Sequence, residues 1–457
     1  MKEKFYKIAP HFIQNWMVSI FNYLAYKKRY GGKYNAYLKE LKDNQRLPLK
    51  KLKQIQEKEF QKLLQHAILN SKFYKDKYSN LKLPESIDDI NISPIINKEE
   101  LRKNINEVYT LSKNNGIVSK TGGTTGKSLE VIFTDEDMQK RFATLDYFRS
   151  WYGYQLGKKT AWFSGKSLLN KKDIKKNRFW KTDYLYKVRY YSTFHINEKY
   201  LGYYLKNIIK FQPEYMVGFP SSIIEIAQYG IRHQIDFPKG IIKAIFSTAE
   251  TVTDEIRTLL STYFHTKVLD QYASSEGAPF IYECPKGNLH IELQSGVFEV
   301  LNEQNQPVDE GRLVVTSFTT YGTPLIRYDI GDRLKLSTEK CACGNNNPLA
   351  ESILGRIDDY IYSTETGKIN LGNISNTLKG VKGIVKFQVV QDNIDEIIIK
   401  MVVDKDVFNK SDRSKFISNW RDRLGNKMSI KLQEVNEIPV EKSGKFRMIK
   451  NNIKHLI

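Results

Sequence analysis

Cysteine is scarce in this chain, with 3 in 457 residues. So sparse and odd a set excludes a disulfide framework and predicts a reducing, cytoplasmic setting. Long apolar runs are missing as well. The opening Met1-Lys2-Glu3-Lys4 is charged, and the apolar stretch from Phe12 to Tyr26 is interrupted by Gln14, Asn15, Ser19 and Asn22, with no small-residue cleavage site after it. That pattern fits neither a signal peptide nor a bilayer-spanning helix. Low-complexity tracts and internal repeats are absent too. Acidic charge is in short supply: 72 Lys and Arg stand against 51 Asp and Glu, a formal balance of +21. Such an excess favours anionic partners, among them nucleotide, CoA and an anionic membrane surface. The lysines are spread along helical faces, without a dense basic arm or an aromatic-spaced signature, so nucleic acid is not an expected partner.

What is present reads as globular, with 40% hydrophobic and 27% charged residues in a length that suits several domains. Residues 1–80 read as helical, with Leu52, Ile55, Leu63, Leu64, Ala67 and Ile68 on one apolar face. Trp16, Phe21, Tyr23 and Tyr26, followed by Lys27-Lys28-Arg29, suit an interfacial helix. Residues 12–29 are therefore a candidate for peripheral contact with the inner face of the membrane, and packing against the helix's own domain is the plainer alternative. Thr134-Asp135-Glu136-Asp137 predicts a helix start, the helix running to Trp151.

From 200 to 280, strands Tyr215–Gly218, Ala244–Ser247 and Lys267–Asp270 alternate with helices at Tyr200–Phe211, Ser222–His233 and Asp254–Phe264. That alternation predicts a parallel sheet covered by helices, with ligands beyond the carboxyl ends of its strands. Short strands at Gly296–Leu301, Arg312–Phe318 and Leu325–Tyr328 predict a β subdomain over about 285–350. Past Gly355-Arg356-Ile357-Asp358-Asp359 come a hairpin (Ile384–Val390 with Glu396–Asp404), a helix at Arg413–Leu424 and a strand at Ser429–Val435. The expected fold is α/β: a large N-terminal domain over 1–357 with helix-covered, mostly parallel sheets and a β subdomain, then a small mobile α+β C-terminal domain over 358–457.

Two stretches carry chemistry on their face. Between the strand-like Gly116-Ile117-Val118-Ser119 and Leu129-Glu130-Val131-Ile132-Phe133 lies Lys120-Thr121-Gly122-Gly123-Thr124-Thr125-Gly126-Lys127-Ser128. Its glycines let backbone N–H groups approach an oxyanion, and its hydroxyls and Lys127 add donors and charge, as a phosphate loop requires. It is not the nucleotide P-loop, because Thr121 stands where that motif needs glycine and a β-branched run stands where it needs a helix. The second stretch is split. Cys284-Pro285-Lys286-Gly287-Asn288-Leu289-His290 and Cys341-Ala342-Cys343 hold every cysteine plus one histidine, a set suited to a closed tetrahedral structural Zn²⁺ site. Three unlinked thiols are the alternative. A catalytic thiol is not expected, since no base is dedicated to one.

Four more stretches stand in order behind the glycine loop: Tyr272-Ala273-Ser274-Ser275-Glu276-Gly277, Arg327-Tyr328-Asp329-Ile330-Gly331-Asp332, Gly355-Arg356-Ile357-Asp358-Asp359 and Lys442-Ser443-Gly444-Lys445. Together the five resemble the signature motifs of the adenylate-forming (AMP-forming) acyl ligase superfamily. Within it the chain is similar to the phenylacetate–CoA ligase branch and, more closely, to the CapK-like proteins of capsular polysaccharide biosynthesis. The Gln14-Asn15 helix with Arg29-Tyr30-Gly31-Gly32, the Gly218-Phe219-Pro220-Ser221 turn and Pro324-Leu325-Ile326-Arg327-Tyr328 support that subgroup.

The resemblance implies ATP-dependent activation of a carboxylic acid as acyl-AMP, release of pyrophosphate, and transfer of the acyl group to a second nucleophile. It places the ATP β- and γ-phosphates on Thr121, Gly122, Gly123, Thr124, Thr125, Gly126 and Lys127, and Mg²⁺ on Glu276. Tyr272 would stack on adenine, with Ser274 and Ser275 in the same motif, while Ser247, Ala249 and Glu250 would line the base. Asp332 would accept hydrogen bonds from the ribose hydroxyls, with Arg356 close by. Lys445 would bridge the reacting carboxylate and the α-phosphate, and Asp358 would be the hinge on which the C-terminal domain turns. Phe163, Phe194, His195 and Phe219 fall where relatives build the acyl pocket, although a satisfied structural histidine is the plainer reading of His195. The chain departs from the pattern at Ile330, where threonine is usual, and at Lys120, where a small residue is usual. The acceptor is left open between the thiol of CoA and an amine. An aryl-CoA ligase of aromatic acid metabolism is one alternative; a non-catalytic nucleotide-binding scaffold of a glycan assembly complex is another, against which Lys445, Glu276 and Asp332 argue. The oligomeric state is left open, a homodimer being the commonest arrangement for such enzymes.

Overall fold

The computed structural model of the chain describes residues 6–120, 129–166, 168–250, 252–356, 360–370, 376–378, 380–441, 444, 446–453 and 456. Four helices come first: α1 (His11–Tyr30), α2 (Tyr34–Asp43), α3 (Leu49–Asn70) and α4 (Lys72–Tyr78). Helix α3 buries Leu52, Phe60, Leu63, Leu64 and Ala67, at the three- and four-residue spacing of an apolar face. Each large side chain among them, fully covered, stabilises by about 1.5–3 kcal/mol. Helix α1 does the reverse, turning Gln14, Asn15, Ser19, Asn22 and Tyr26 inward. A short helix α5 (Lys98–Lys103), capped by the Asn97 side chain, leads to the antiparallel hairpin of β1 (Ile117–Lys120) and β2 (Glu130–Phe133). Helix α6 (Asp135–Ser150) starts at a capping box between Thr134 and Asp137, where the sequence predicts it.

Next come β3 (Thr160–Ser164), β4 (Trp180–Asp183), β5 (Val188–Ser192), β6 (Tyr215–Gly218), β7 (Ala244–Ser247) and β8 (Lys267–Leu269). They form one sheet in the order β4-β5-β3-β6-β7-β8, parallel throughout except for the β4/β5 pair. Helices α7 (Glu198–Phe211), α8 (Pro220–Arg232) and α9 (Asp254–Phe264) make the crossovers and seal a core that includes Phe163, Met216, Ile226 and Ile245. The parallel half is the one the sequence predicts; β3, β4 and β5 lie in a stretch where it shows no clear period.

A seven-stranded antiparallel sheet follows, built of β9 (Gln271–Tyr272), β10 (Ile281–Glu283), β11 (Leu289–Ile291), β12 (Gly296–Leu301), β13 (Glu310–Ser317), β14 (Tyr328–Ser337) and β15 (Leu349–Arg356). Its order is β12-β13-β14-β15-β11-β10-β9, and it shares a core with α3 and α4 through Leu64, Tyr74, Val315 and Leu334. The strand expected at Leu325–Tyr328 is a turn instead. Arg327 takes φ +44° so that its buried guanidinium can reach Glu299 and the carbonyl oxygens of Asn91 and Ser93, and β14 begins one residue later.

The remaining strands are β16 (Tyr360–Ser363), β17 (Gly367–Asn370), β18 (Ile384–Asn393), β19 (Glu396–Val403), β20 (Ser429–Glu434) and β21 (Ile449–Asn451). The last four form a separate sheet, β20-β19-β18-β21, with helix α10 (Lys410–Leu424) packed on it through Phe416 and Trp420. This α+β unit has its own core, as the change of sequence texture after Asp359 leads one to expect.

Candidate active site

The glycine loop itself, Thr121, Gly122, Gly123, Thr124, Thr125, Gly126 and Lys127, lies outside the described residues. Its frame does not. The two strands pair from Ile117↔Phe133 to Lys120↔Glu130, so a hairpin brackets the loop and no helix follows it directly. Lys120, the unusual residue at the loop's approach, pairs with Glu130 across the hairpin at 2.6 Å. The Ser119 hydroxyl donates to the carbonyl of Ser275 at 3.0 Å, which fixes the base of the hairpin to the 272–277 motif.

That motif is clamped from below by Arg141, a buried residue of α6 that sequence reasoning missed. Its guanidinium donates to the carbonyls of Ser274 (3.1 Å) and Ala278 (3.0 Å) and to the Thr319 hydroxyl (2.9 Å). Gly277 closes the turn at φ +108°, where a Cβ would come within 2.3 Å of the Thr320 methyl. So held, Glu276 is buried and its carboxylate accepts a hydrogen bond and ion pair from Lys98 at the start of α5. A buried carboxylate needs a cationic partner. Lys98 supplies it here, and a hard divalent cation is the other partner such an oxygen takes, so Glu276 fits Mg²⁺.

Tyr272 and Asp332 meet directly, the phenol donating to the carboxylate at 2.6 Å. In the β14/β15 register the backbone of Asp332 stands opposite that of Arg356. Ser247 is placed otherwise: it is buried, with its hydroxyl donating to the Leu269 carbonyl and to Asp270. Burial and the neighbouring Glu283 push the Asp270 carboxyl up to about 7.

The carboxyl ends of β3, β5, β6 and β7 form the far wall. Ala249 adopts φ +63°, and Glu250 beside it accepts from the Ser221 backbone N–H and hydroxyl, both at 2.9 Å. The same carboxylate accepts from the Phe446 backbone N–H at 3.2 Å. Gly444 lies so close to Gly165 and Thr193 that an added Cβ would be 2.5 Å from both. Lys386 of β18 pairs with Glu225 of α8 at 2.7 Å and covers the Phe446 ring at 4.4 Å. The residues on either side of position 445 are therefore seated on this wall. Lys445 and Asp358 themselves lie outside the described residues. Of the proposed pocket residues, Phe163 is buried and stacked on Tyr191, and Phe219 is buried at the start of α8. Phe194 is half-buried, while His195 bonds the Ser192 hydroxyl through Nδ1 at 2.9 Å, burial holding its pKa below the ordinary value.

On the opposite end of the antiparallel sheet, Cys284, His290, Cys341 and Cys343 place their ligand atoms within 4.8 Å of one another. The Cys284 and Cys341 sulfurs are 3.5 Å apart, and Cys343 Sγ is 3.3 Å from His290 Nε2. The edge of a tetrahedron of Zn–S bonds is about 3.8 Å, so the donor set and its spread fit Zn²⁺. Burial pushes His290 down to about 4, which keeps the imidazole neutral and able to ligate.

Residues 361–452 match the family model described as CapK C-terminal domain. The chain is similar to Protein CapK of Staphylococcus aureus, 34% identical over 454 residues, spanning 98% of this chain and 99% of that one. It is also similar to a phenylacetate-coenzyme A ligase of Thermus thermophilus, 24% identical over 52% of this chain and 60% of the relative. Among solved structures, 2-hydroxyisobutyryl-CoA ligase in the postadenylation state with 2-HIB-AMP shares the fold at TM-score 0.73, with 16% identity and 90% and 92% of the two chains covered. Against the same enzyme with 2-HIB-AMP and CoA in the thioesterification state, the TM-score is 0.60.

Proposed function

The chain belongs to the CapK family of the adenylate-forming ligases, and from that premise we propose that it joins a carboxylic acid to the α-phosphate of ATP, releases pyrophosphate, and passes the acyl group to CoA or to an amine in surface polysaccharide assembly. The observation that carries the proposal is the seating of Gly444 and Phe446, the neighbours of position 445, on the cleft wall beside Gly165 and Glu250, which follow the carboxyl ends of β3 and β7. The better agreement with a postadenylation arrangement supports the same orientation of the C-terminal unit.

The roles follow from charge. Two anions must meet, so the site has to supply positive potential where negative charge accumulates. Loop residues Thr121 to Lys127 would take the β- and γ-phosphates, Tyr272, Asp332 and Arg356 would serve the adenosine, and Lys445 would bridge the reacting carboxylate and the α-phosphate. Mg²⁺ held at Glu276 would spread the polyphosphate charge. Lys98 pairs with that carboxylate and holds it in place until then. Residues 358–457 act as the unit that carries Lys445 in and, turning at Asp358, makes room for the second nucleophile. Zn²⁺ on Cys284, His290, Cys341 and Cys343 would be structural, and elemental analysis is expected to find about one zinc per chain.

Lys445→Ala is expected to lower carboxylate-dependent ATP–pyrophosphate exchange by about 10²–10³-fold while nucleotide still protects the fold against heat. Exchange at the original rate rejects the role. Once a carboxylate that drives exchange is found, offering CoA and amine acceptors side by side separates the two products.

A further inference from the structure

Helix α1 is inside out. Its protein-facing side is polar and specifically bonded. Asn22 donates to Asp183 (2.7 Å) and to the Tyr190 hydroxyl (3.0 Å), Asn15 bonds Tyr184 and the Thr182 N–H, and Ser19 accepts from the Tyr184 N–H at 2.9 Å. Beneath Gln14 the buried Lys181 pairs with Asp173 at 2.7 Å. These bonds fix which side of α1 faces solvent, and that side is apolar. Phe12, Trp16, Ile20 and Leu24 recur every fourth residue as one exposed stripe, Ile20 54% and Leu24 59% accessible, with Phe21 and Tyr23 exposed beside it. Leu185 and Tyr184, in the turn between β4 and β5, extend the patch, and Trp16 touches the Tyr184 ring.

We propose that this face docks on an anionic lipid bilayer, with α1 lying in the plane of the headgroups. Charge selects that occupant over a second copy of the chain. Between Glu3 and Glu40 there is no acidic residue, but there are Lys4, Lys7, Lys27, Lys28, Arg29, Lys33 and Lys39. Two such faces packed antiparallel would set the Lys27 end of each against the lysines that begin the other. An anionic surface meets the same charges favourably, and Lys27, Lys28 and Lys187 stand exposed around the patch. Trp16, Tyr23 and Tyr184 are the amphipathic rings that settle at headgroup depth, and no described helix is long and apolar enough to cross the membrane. The inference is independent of the chemistry in the cleft, whose residues α1 does not supply.

Flotation of the full chain with vesicles tests it. Vesicles of phosphatidylcholine with about 30 mol% phosphatidylglycerol should carry the protein up the gradient, phosphatidylcholine alone should not, and about 0.5 M NaCl should weaken the association. I20Q/L24Q is expected to reduce binding at least about tenfold, and K27A about fivefold, with melting temperature and nucleotide binding unchanged. No association of the original chain with the anionic vesicles overturns the proposal, as does undiminished binding of I20Q/L24Q. A dimer in sedimentation that I20Q/L24Q converts to monomer, without vesicle binding, overturns it in favour of self-association.

Discussion

Two polar clusters border the same antiparallel sheet and are built in opposite ways. The Cys284–His290–Cys341–Cys343 cluster draws on two short loops, holds no lysine or carboxylate, and converges on a point. The proposed nucleotide cleft draws on α5, the β1/β2 hairpin, the 272–277 turn, β14 and the C-terminal unit, and its groups line a space instead of closing it. A convergent set of soft donors satisfies itself once one ion is present. A divergent set of charges stays incomplete until a ligand with matching charge arrives. Damage to the first should therefore appear as lost stability, and damage to the second as lost rate or affinity.

The largest effect that could break this contrast is at Cys343. Structural zinc contributes folding free energy outright, about 10–16 kcal/mol apparent in small zinc-binding peptides, and less where a large core already stands. Cys343→Ser is expected to lower stability by more than about 3 kcal/mol, read as an early unfolding transition in calorimetry together with loss of bound zinc. Pyrophosphate exchange per folded molecule should hold. If exchange falls while melting is unmoved, the cluster belongs to the chemistry and the contrast fails.

Lys98→Ala is the next test and sharpens it, because this residue lies on the cleft side yet supports a buried charge. Removing it leaves the Glu276 carboxylate without that cation, a cost of about 1–3 kcal/mol once the partial exposure of Lys98 is discounted. Melting should drop in the absence of nucleotide and recover when Mg²⁺ and ATP are added together, since the metal replaces the lost ammonium. A drop that Mg²⁺–ATP does not restore removes Glu276 from the metal site.

How far such features can be read from sequence depends on how local they are. The capping box at Thr134 and Asp137, the hairpin around the glycine loop and the cysteine–histidine spacing each lie within a few residues or within two loops, and all three were legible. Lys98 was not, because 178 residues separate it from Glu276 and one lysine among so many carries no local mark. Arg141 was hidden by its place in a polar-looking helix whose arginines and acids are largely buried. Strands β3 to β5 were missed because residues 151–200 alternate aromatics with lysines at no steady period, and their pairing is settled only by partners arriving later. In α1 the interfacial aromatics were visible beside the inward-packing alternative, but the boundary of the outer face was not: Trp16, Phe21 and Tyr23 are exposed, Tyr26 is buried, and only the polar anchors on β4 and β5 fix which side points out.

The smallest effect concerns a single oxygen. Tyr272 lies partly exposed in the cleft and donates to Asp332, a carboxylate that in the proposed site also accepts from the ribose. Phenylalanine keeps the ring for stacking and removes only this donor, so Tyr272→Phe isolates the orienting bond from the packing. A hydrogen bond to a charged group is worth about 1.5–3 kcal/mol when its loss is not made good, and here solvent replaces part of it. The expected result is a KM for ATP raised about three- to tenfold, with kcat nearly constant, because the bond is the same in ground and transition states. Melting should not move, since no buried group is left unpaired in an open cleft. An unfolding penalty comparable to that of Cys343→Ser would instead mean that the Tyr272–Asp332 pair is a strut of the sheet, and that the cleft is closed on itself as tightly as the cysteine corner.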